Sequence, residues 1–201
     1  MIKSSNSFYT NEELLGIGFK FIGSNVLISR KASIYSPENI TIGDNVRIDD
    51  FTILSASGGS IEIKNHIHIA SFCNLIGKGG IVMDDYSGLS SRVSLYSATD
   101  DFSGNYLIGP TMEESCINVT TGLVVISKYA TVGTSSTVFP NVTMGEGSIL
   151  GSHSFANKNL VPWNVYLGCP AKRLMKRKSG LLKLVPLMEK KWGRKPCINE
   201  D

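Results

Sequence analysis

The stretch Ile42-Gly43-Asp44-Asn45-Val46-Arg47-Ile48-Asp49-Asp50-Phe51-Thr52-Ile53-Leu54 repeats its aliphatic residue every six positions, at Ile42, Ile48 and Leu54. The same step resumes at Ile63, Ile69 and Leu75, then at Met83, Leu89 and Leu95. It returns for a longer run at Ile126, Val132, Val138, Met144 and Leu150. All fourteen first positions are Ile, Leu, Val or Met, although those types fill only 56 of 201 residues, so chance would supply about four. The fifth position of each unit gives an independent test: it reads Val46, Thr52, Gly58, Ile67, Cys73, Gly79, Ser87, Val93, Thr99, Ala130, Ser136, Val142, Ser148 and Ser154. Nothing charged, aromatic or long and polar stands there. A period of six belongs to neither a helix nor an ordinary strand. It fits a solenoid of short flat strands, three to a coil, each placing one aliphatic and one small residue inward.

Composition narrows the remaining possibilities. A chain of 201 residues with 42% hydrophobic content can bury a core, and its net charge of +3 is too weak to imply a nucleic-acid partner. No run approaches the 18 apolar residues of a membrane span. The N-terminal Met1-Ile2-Lys3-Ser4-Ser5-Asn6 lacks the apolar centre of a signal peptide, which makes a cytoplasmic location the expectation. Cys73, Cys116, Cys169 and Cys197 lie far apart and read as free thiols rather than a zinc site.

Units such as Ile42-Gly43-Asp44-Asn45-Val46-Arg47 and Met144-Gly145-Glu146-Gly147-Ser148-Ile149 resemble those of the hexapeptide-repeat acyltransferases, and the likeness runs from Ile28 to Lys172. That resemblance implies an all-β, left-handed parallel β-helix with a long protruding loop and a short C-terminal helix. The expected organisation is an N-terminal cap with a short helix over 1–25, the β-helix over 26–172 with its loop over 97–123, and a basic C-terminal tail or helix over 173–201. Thr10-Asn11-Glu12-Glu13 has the pattern of a capping box that opens the first helix. The basic stretch from Arg173 carries Leu181, Leu182, Leu184, Leu187 and Met188 and reads as a solvated amphipathic helix.

Breaks in the period point to the site. The step is nine from Leu54 to Ile63 and eight from Leu75 to Met83, across corners rich in glycine (Gly58, Gly59, Gly79, Gly80). From Leu95 to Ile126 it is 31, which leaves room for a long insertion carrying aromatics and carboxylates. In the galactoside acetyltransferases that the chain resembles, a histidine stands in the unit before such a loop and acts as base. Here the equivalent place holds Asp100. His68, taken as a corner residue, can instead serve as the base if Asp100 or Asp101 orients its ring across a trimer interface. His66 and His153 read as outward residues of flat faces; His66 alternates closely with His68, but the distant His153 does not converge with them, so no metal site is expected.

The resemblance further implies acetyl-CoA as co-substrate, held by Gly133, Ser152, Lys158, Pro170, Ala171 and Lys172. The last three belong to the segment Gly168-Cys169-Pro170-Ala171-Lys172, which looks like the family's Gly-x-Pro-Ala-Lys. Trp163 is open to two roles, packing on adenine or capping the last coil. Tyr96, Phe102 and Ser103 are assigned to the acceptor. The expected partners are acetyl-CoA, a sugar or sugar-nucleotide acceptor and two further copies of the chain in a homotrimer, with neither nucleic acid nor an integral membrane segment. The leading reading is acetyl transfer to a hydroxyl of a sugar or polysaccharide precursor. The alternative is N-acetylation of an amino-sugar nucleotide, which the aspartate at the base position favours if His68 takes no part, whereas an essential His68 favours a hydroxyl. A non-enzymatic binding scaffold is the third possibility.

Overall fold

A computed structural model describes residues 7–192. Residues 1–6 and 193–201, with Cys197 and the ends of both appended segments, lie outside the described residues.

The repeat builds a parallel β-solenoid with three walls. Wall one stacks Phe21–Ile22, Ile40–Ile42, Ile61–Ile63, Ile81–Met83, Val124–Ile126 and Thr143–Met144. Wall two runs from Leu27–Ile28 through Arg47–Ile48, His68–Ile69, Gly88–Leu89, Thr131–Val132 and Ile149–Leu150 to Asn164–Leu167. Wall three joins Ser33–Tyr35, Ile53–Ser55, Asn74–Ile76, Ser94–Tyr96, Thr137–Val138 and Phe155–Ala156. Like residues fall in register from coil to coil, as in Ile48↔Ile69 and Leu54↔Leu75. Each aliphatic column is thereby buried only against the coils above and below.

All fourteen aliphatic positions of the repeat are buried, none more than 2% exposed. Of the fifth positions, Gly58, Gly79 and Thr99 are not buried, which corrects the simple count of six. Each lies in a corner insertion. There the strands lengthen, and alternation brings Ala56, Gly77 and Ser97 inward on one side of the corner and Ile61, Ile81 and Val124 on the other.

Corners form at the fourth position of the unit. Asn45, His66, Tyr86 and Tyr129 turn the chain from wall one to wall two, and Phe51, Phe72, Arg92, Ser135 and His153 turn it from wall two to wall three. All have φ between 55° and 63°, the left-handed region that costs an L-residue about 1–2 kcal/mol. Stacking between coils offsets part of that strain. His66 lies on Tyr86 with centroids 4.9 Å apart, Tyr86 on Tyr129 at 5.4 Å, and Trp163 continues the column at 6.3 Å. Such ring pairs contribute about 0.5–1.5 kcal/mol each.

Helix α1 (Asn11–Gly16) closes the first coil. Thr10 Oγ1 accepts from Glu13 N while Glu13 Oε2 accepts from Thr10 N, completing the capping box, and Leu14 enters the core. At the other end the chain adds a strand that the sequence pattern does not announce: Lys172–Lys176 pairs antiparallel with Asn164–Leu167. Helix α2 (Val185–Trp192) then lies against the aromatic column, where Tyr86 Oη donates to Glu189 at 3.0 Å. Arg177 Nη1 donates to the carbonyls of Tyr129 and Gly147, tying the tail to the solenoid. No helix among the described residues is long and apolar enough to cross a membrane.

Candidate active site

The long insertion leaves the solenoid at the corner between walls three and one. Ala98–Asp100 and Val119–Thr121 form an antiparallel pair at its base, with Asp100 opposite Val119. Beyond them Asp101 braces the loop: its carboxylate accepts from Ser103 N at 2.7 Å and Asn118 Nδ2 at 2.9 Å, and these donors hold its pKa below the usual carboxylate range. The base of the loop encloses a cavity of about 310 Å³ lined by Ile76, Lys78, Ala98, Thr99, Asp100, Gly109, Pro110, Ile117 and Val119. Asp100 is half-buried there, and no hydrogen bond or ion pair of its carboxylate occurs among the described residues. Tyr96 lies on wall three, its backbone in register with Ile76. Phe102, 71% exposed, and Ser103 sit further out on the loop.

The histidines occupy places opposite to those expected. His68 lies on flat wall two, where the residue before an inward Ile69 must point outward. His66 and His153 are the corner residues, because the left-handed turn falls at their position. Within one chain the partner of His68 is Asp49, with Nε2 2.8 Å from Oδ2, and Arg47 Nε donates to the other oxygen of that carboxylate at 2.7 Å. Asp49 is thus held ionised below its ordinary range: its bonds to His68 and Arg47 outweigh the opposing effect of partial burial. It escaped sequence reading, since it precedes His68 by almost one coil, and that interval was the available signal. Among the described residues no group of three or more His, Cys, Asp or Glu side chains is placed to hold a metal.

The residues assigned to the coenzyme divide between two corners. Gly133 and Ser152 stack at the corner between walls two and three: a Cβ on Gly133 would come within 2.6 Å of Ser152 N, so only glycine fits. Ala171 N donates to Phe155 O at 2.8 Å, which brings Pro170, Ala171 and Lys172 to the same edge. Ser90, two positions before the corner residue Arg92, continues this line of small residues toward the middle coils. Lys158 lies past the far end of wall three, at the loop's own corner, and is not brought together with Lys172. Trp163 ends the aromatic column, with the Arg177 guanidinium 6.0 Å from its ring centre.

No family model matches the chain. A curated dTDP-4-amino-4,6-dideoxy-D-glucose acyltransferase of Escherichia coli is 43% identical to it over 172 residues, 86% of this chain and 90% of that protein. The crystal structure of AntD, an N-acyltransferase from Bacillus cereus, in complex with dTDP and 3-hydroxybutyryl-CoA superposes with a TM-score of 0.90 at 46% identity, covering 94% of this chain and all of that one. A hexapeptide-repeat acetyltransferase from Vibrio cholerae shares the fold, with a TM-score of 0.61 at 17% identity over 89% of this chain and 85% of its own. Of the acceptors the sequence left open, these first two names match the amino-sugar alternative. A six-residue repeat, a cavity at its longest interruption and close likeness along almost the whole chain agree: the protein belongs to the family of sugar acyltransferases built on the hexapeptide-repeat solenoid.

Proposed function

We propose that the protein transfers an acyl group from acyl-CoA to the amine of a dTDP-linked 4-amino-4,6-dideoxy sugar, in the cytoplasm. The observation that carries this reading is the carboxylate of Asp100 in the loop-base cavity, which meets no partner among the described residues. A carboxylate holds an ammonium through charge-assisted hydrogen bonds that a neutral hydroxyl does not offer. AntD has been solved with an aspartate replaced by alanine or asparagine, and with a serine ten positions earlier replaced by alanine, cysteine or threonine. Asp100 follows Ser90 at that interval here.

In the reaction the bound ammonium gives one proton to solvent, and its nitrogen attacks the thioester carbonyl. The C–N bond forms and the C–S bond breaks; one of the two protons left on nitrogen passes to the departing thiolate, and the other stays on the amide. Asp100 orients the nitrogen, and backbone groups beside Ser90 and Gly133 line the path of the pantetheine arm. Roughly 17 Å of extended chain along wall three separates these two corners within one chain. We therefore place the reacting centre between copies, the loop of one chain closing on the small-residue corner of the next in a trimer. His68, held by Asp49, is assigned a supporting role on the wall.

The test is acyl transfer by the full chain from acetyl-CoA or 3-hydroxybutyryl-CoA, followed by thiol release and product mass. The reading expects turnover with dTDP-4-amino-4,6-dideoxyglucose and little with its 4-hydroxy counterpart. Equal or better turnover of the hydroxy sugar would restore the hydroxyl reading.

A further inference from the structure

The loop-base cavity contains two opposite charges that do not meet. Asp100 and Lys78 both line it, yet neither takes part in any ion pair among the described residues. The remaining wall is largely apolar: Ile76, Pro110, Ile117 and Val119. Asp100 is half-buried and Lys78 is exposed at the rim, and both backbones are fixed. Asp100 is bound in the two-stranded base of the loop. Lys78 stands in the turn Gly77-Lys78-Gly79-Gly80, where Gly79 N donates to Ser97 Oγ at 2.8 Å and Gly80 N to Gly77 O at 2.9 Å. A Cβ on Gly79 would approach Ser97 O to 2.3 Å, and one on Gly77 would approach Ile61 Cγ1 to 2.7 Å. The turn therefore presents one side chain, the lysine, and leaves bare backbone around it.

We propose that Lys78 binds a phosphate of the acceptor nucleotide, so that the cavity takes the acceptor as a dipole with its amine on Asp100 and its phosphate on Lys78. The apolar residues between the two then face the deoxygenated carbon of the sugar, which offers no hydroxyl to them. A lysine is a suitable grip for phosphate, as a compact point charge with three donors. This inference rests on the amino-sugar nucleotide reading above. The same chemistry could serve a coenzyme phosphate, and the measurements below separate the two sources.

Steady-state kinetics of the full chain would be combined with calorimetric titration of dTDP alone. Lys78→Ala should raise the KM for the sugar nucleotide and weaken dTDP binding by at least about tenfold, the scale of a lost charged hydrogen bond. The KM for acyl-CoA should stay within about twofold and the melting temperature should not move. Lys78→Arg should recover much of the dTDP affinity. Unchanged dTDP binding in Lys78→Ala, or a rise confined to the acyl-CoA KM, would overturn the assignment while leaving the amino-sugar reading intact. A wild-type chain that neither binds dTDP nor acylates a sugar nucleotide would remove the reading beneath it as well.

Discussion

Residue by residue, environment decides which reactive side chains have chemistry open to them. Cys73 occupies an inward fifth position, its thiol pushed up to about 11 by burial, while Cys116 and Cys169 are exposed. Alkylation of the native protein read by peptide mass should label Cys116 and Cys169 and spare Cys73 until the chain is unfolded; rapid native labelling of Cys73 would contradict the inward register. The carboxylates divide in the same manner. Asp101 and Asp49 are satisfied by donors, whereas Asp100 meets none among the described residues. The sequence made Asp100 conspicuous because it stands where related enzymes carry a histidine. It gave no sign of Lys78, which lines the cavity because a turn in one coil faces a loop that leaves the next.

At the scale of the element, the aliphatic columns were legible because burial acts on every coil alike. Ile69 is fully buried on wall two, while Glu62 points outward from wall one. Ile69→Asp should cost several kcal/mol through an unpaired buried charge and collapse the circular dichroism melt; Glu62→Ala should leave it within about 0.5 kcal/mol. What the repeat concealed was the position of its corners. A left-handed turn is announced by Asn or Gly, as at Asn45, but most corners here carry rings or Arg92, stabilised by neighbours about twenty residues away. Taking the sixth position of the unit as the corner therefore exchanges His68 with His66. The capping box, a local signal, was readable outright. Its Glu13 also accepts two hydrogen bonds from Arg30, at 2.9 and 2.6 Å, and this pair, with the Thr10 amide, lowers its pKa to about 2 from an ordinary 4.5. A depressed carboxylate stabilises the fold above its unfolded pKa and loses that contribution as pH falls through the folded one. Replacing Glu13 with Gln should thus flatten the melting-temperature profile between pH 4.5 and about 2 and leave its slope above pH 6 unchanged.

For the molecule as a whole, the solenoid is a ruler that sets two edges apart: a corner of small residues, proposed for the thioester, and a corner bearing the loop, proposed for the acceptor. On the proposed reading, that separation takes more than one chain to complete a site, with the acceptor's nitrogen on Asp100. The most direct test compares Asp100→Asn with His68→Ala in steady-state acylation of the dTDP-linked amino sugar. The account predicts that Asp100→Asn lowers kcat/KM by roughly 10²-fold, the scale of a lost charged anchor, while His68→Ala stays within about fivefold of the parent. A His68→Ala variant that fails while Asp100→Asn turns over normally would contradict it and return the proton transfer to the histidine.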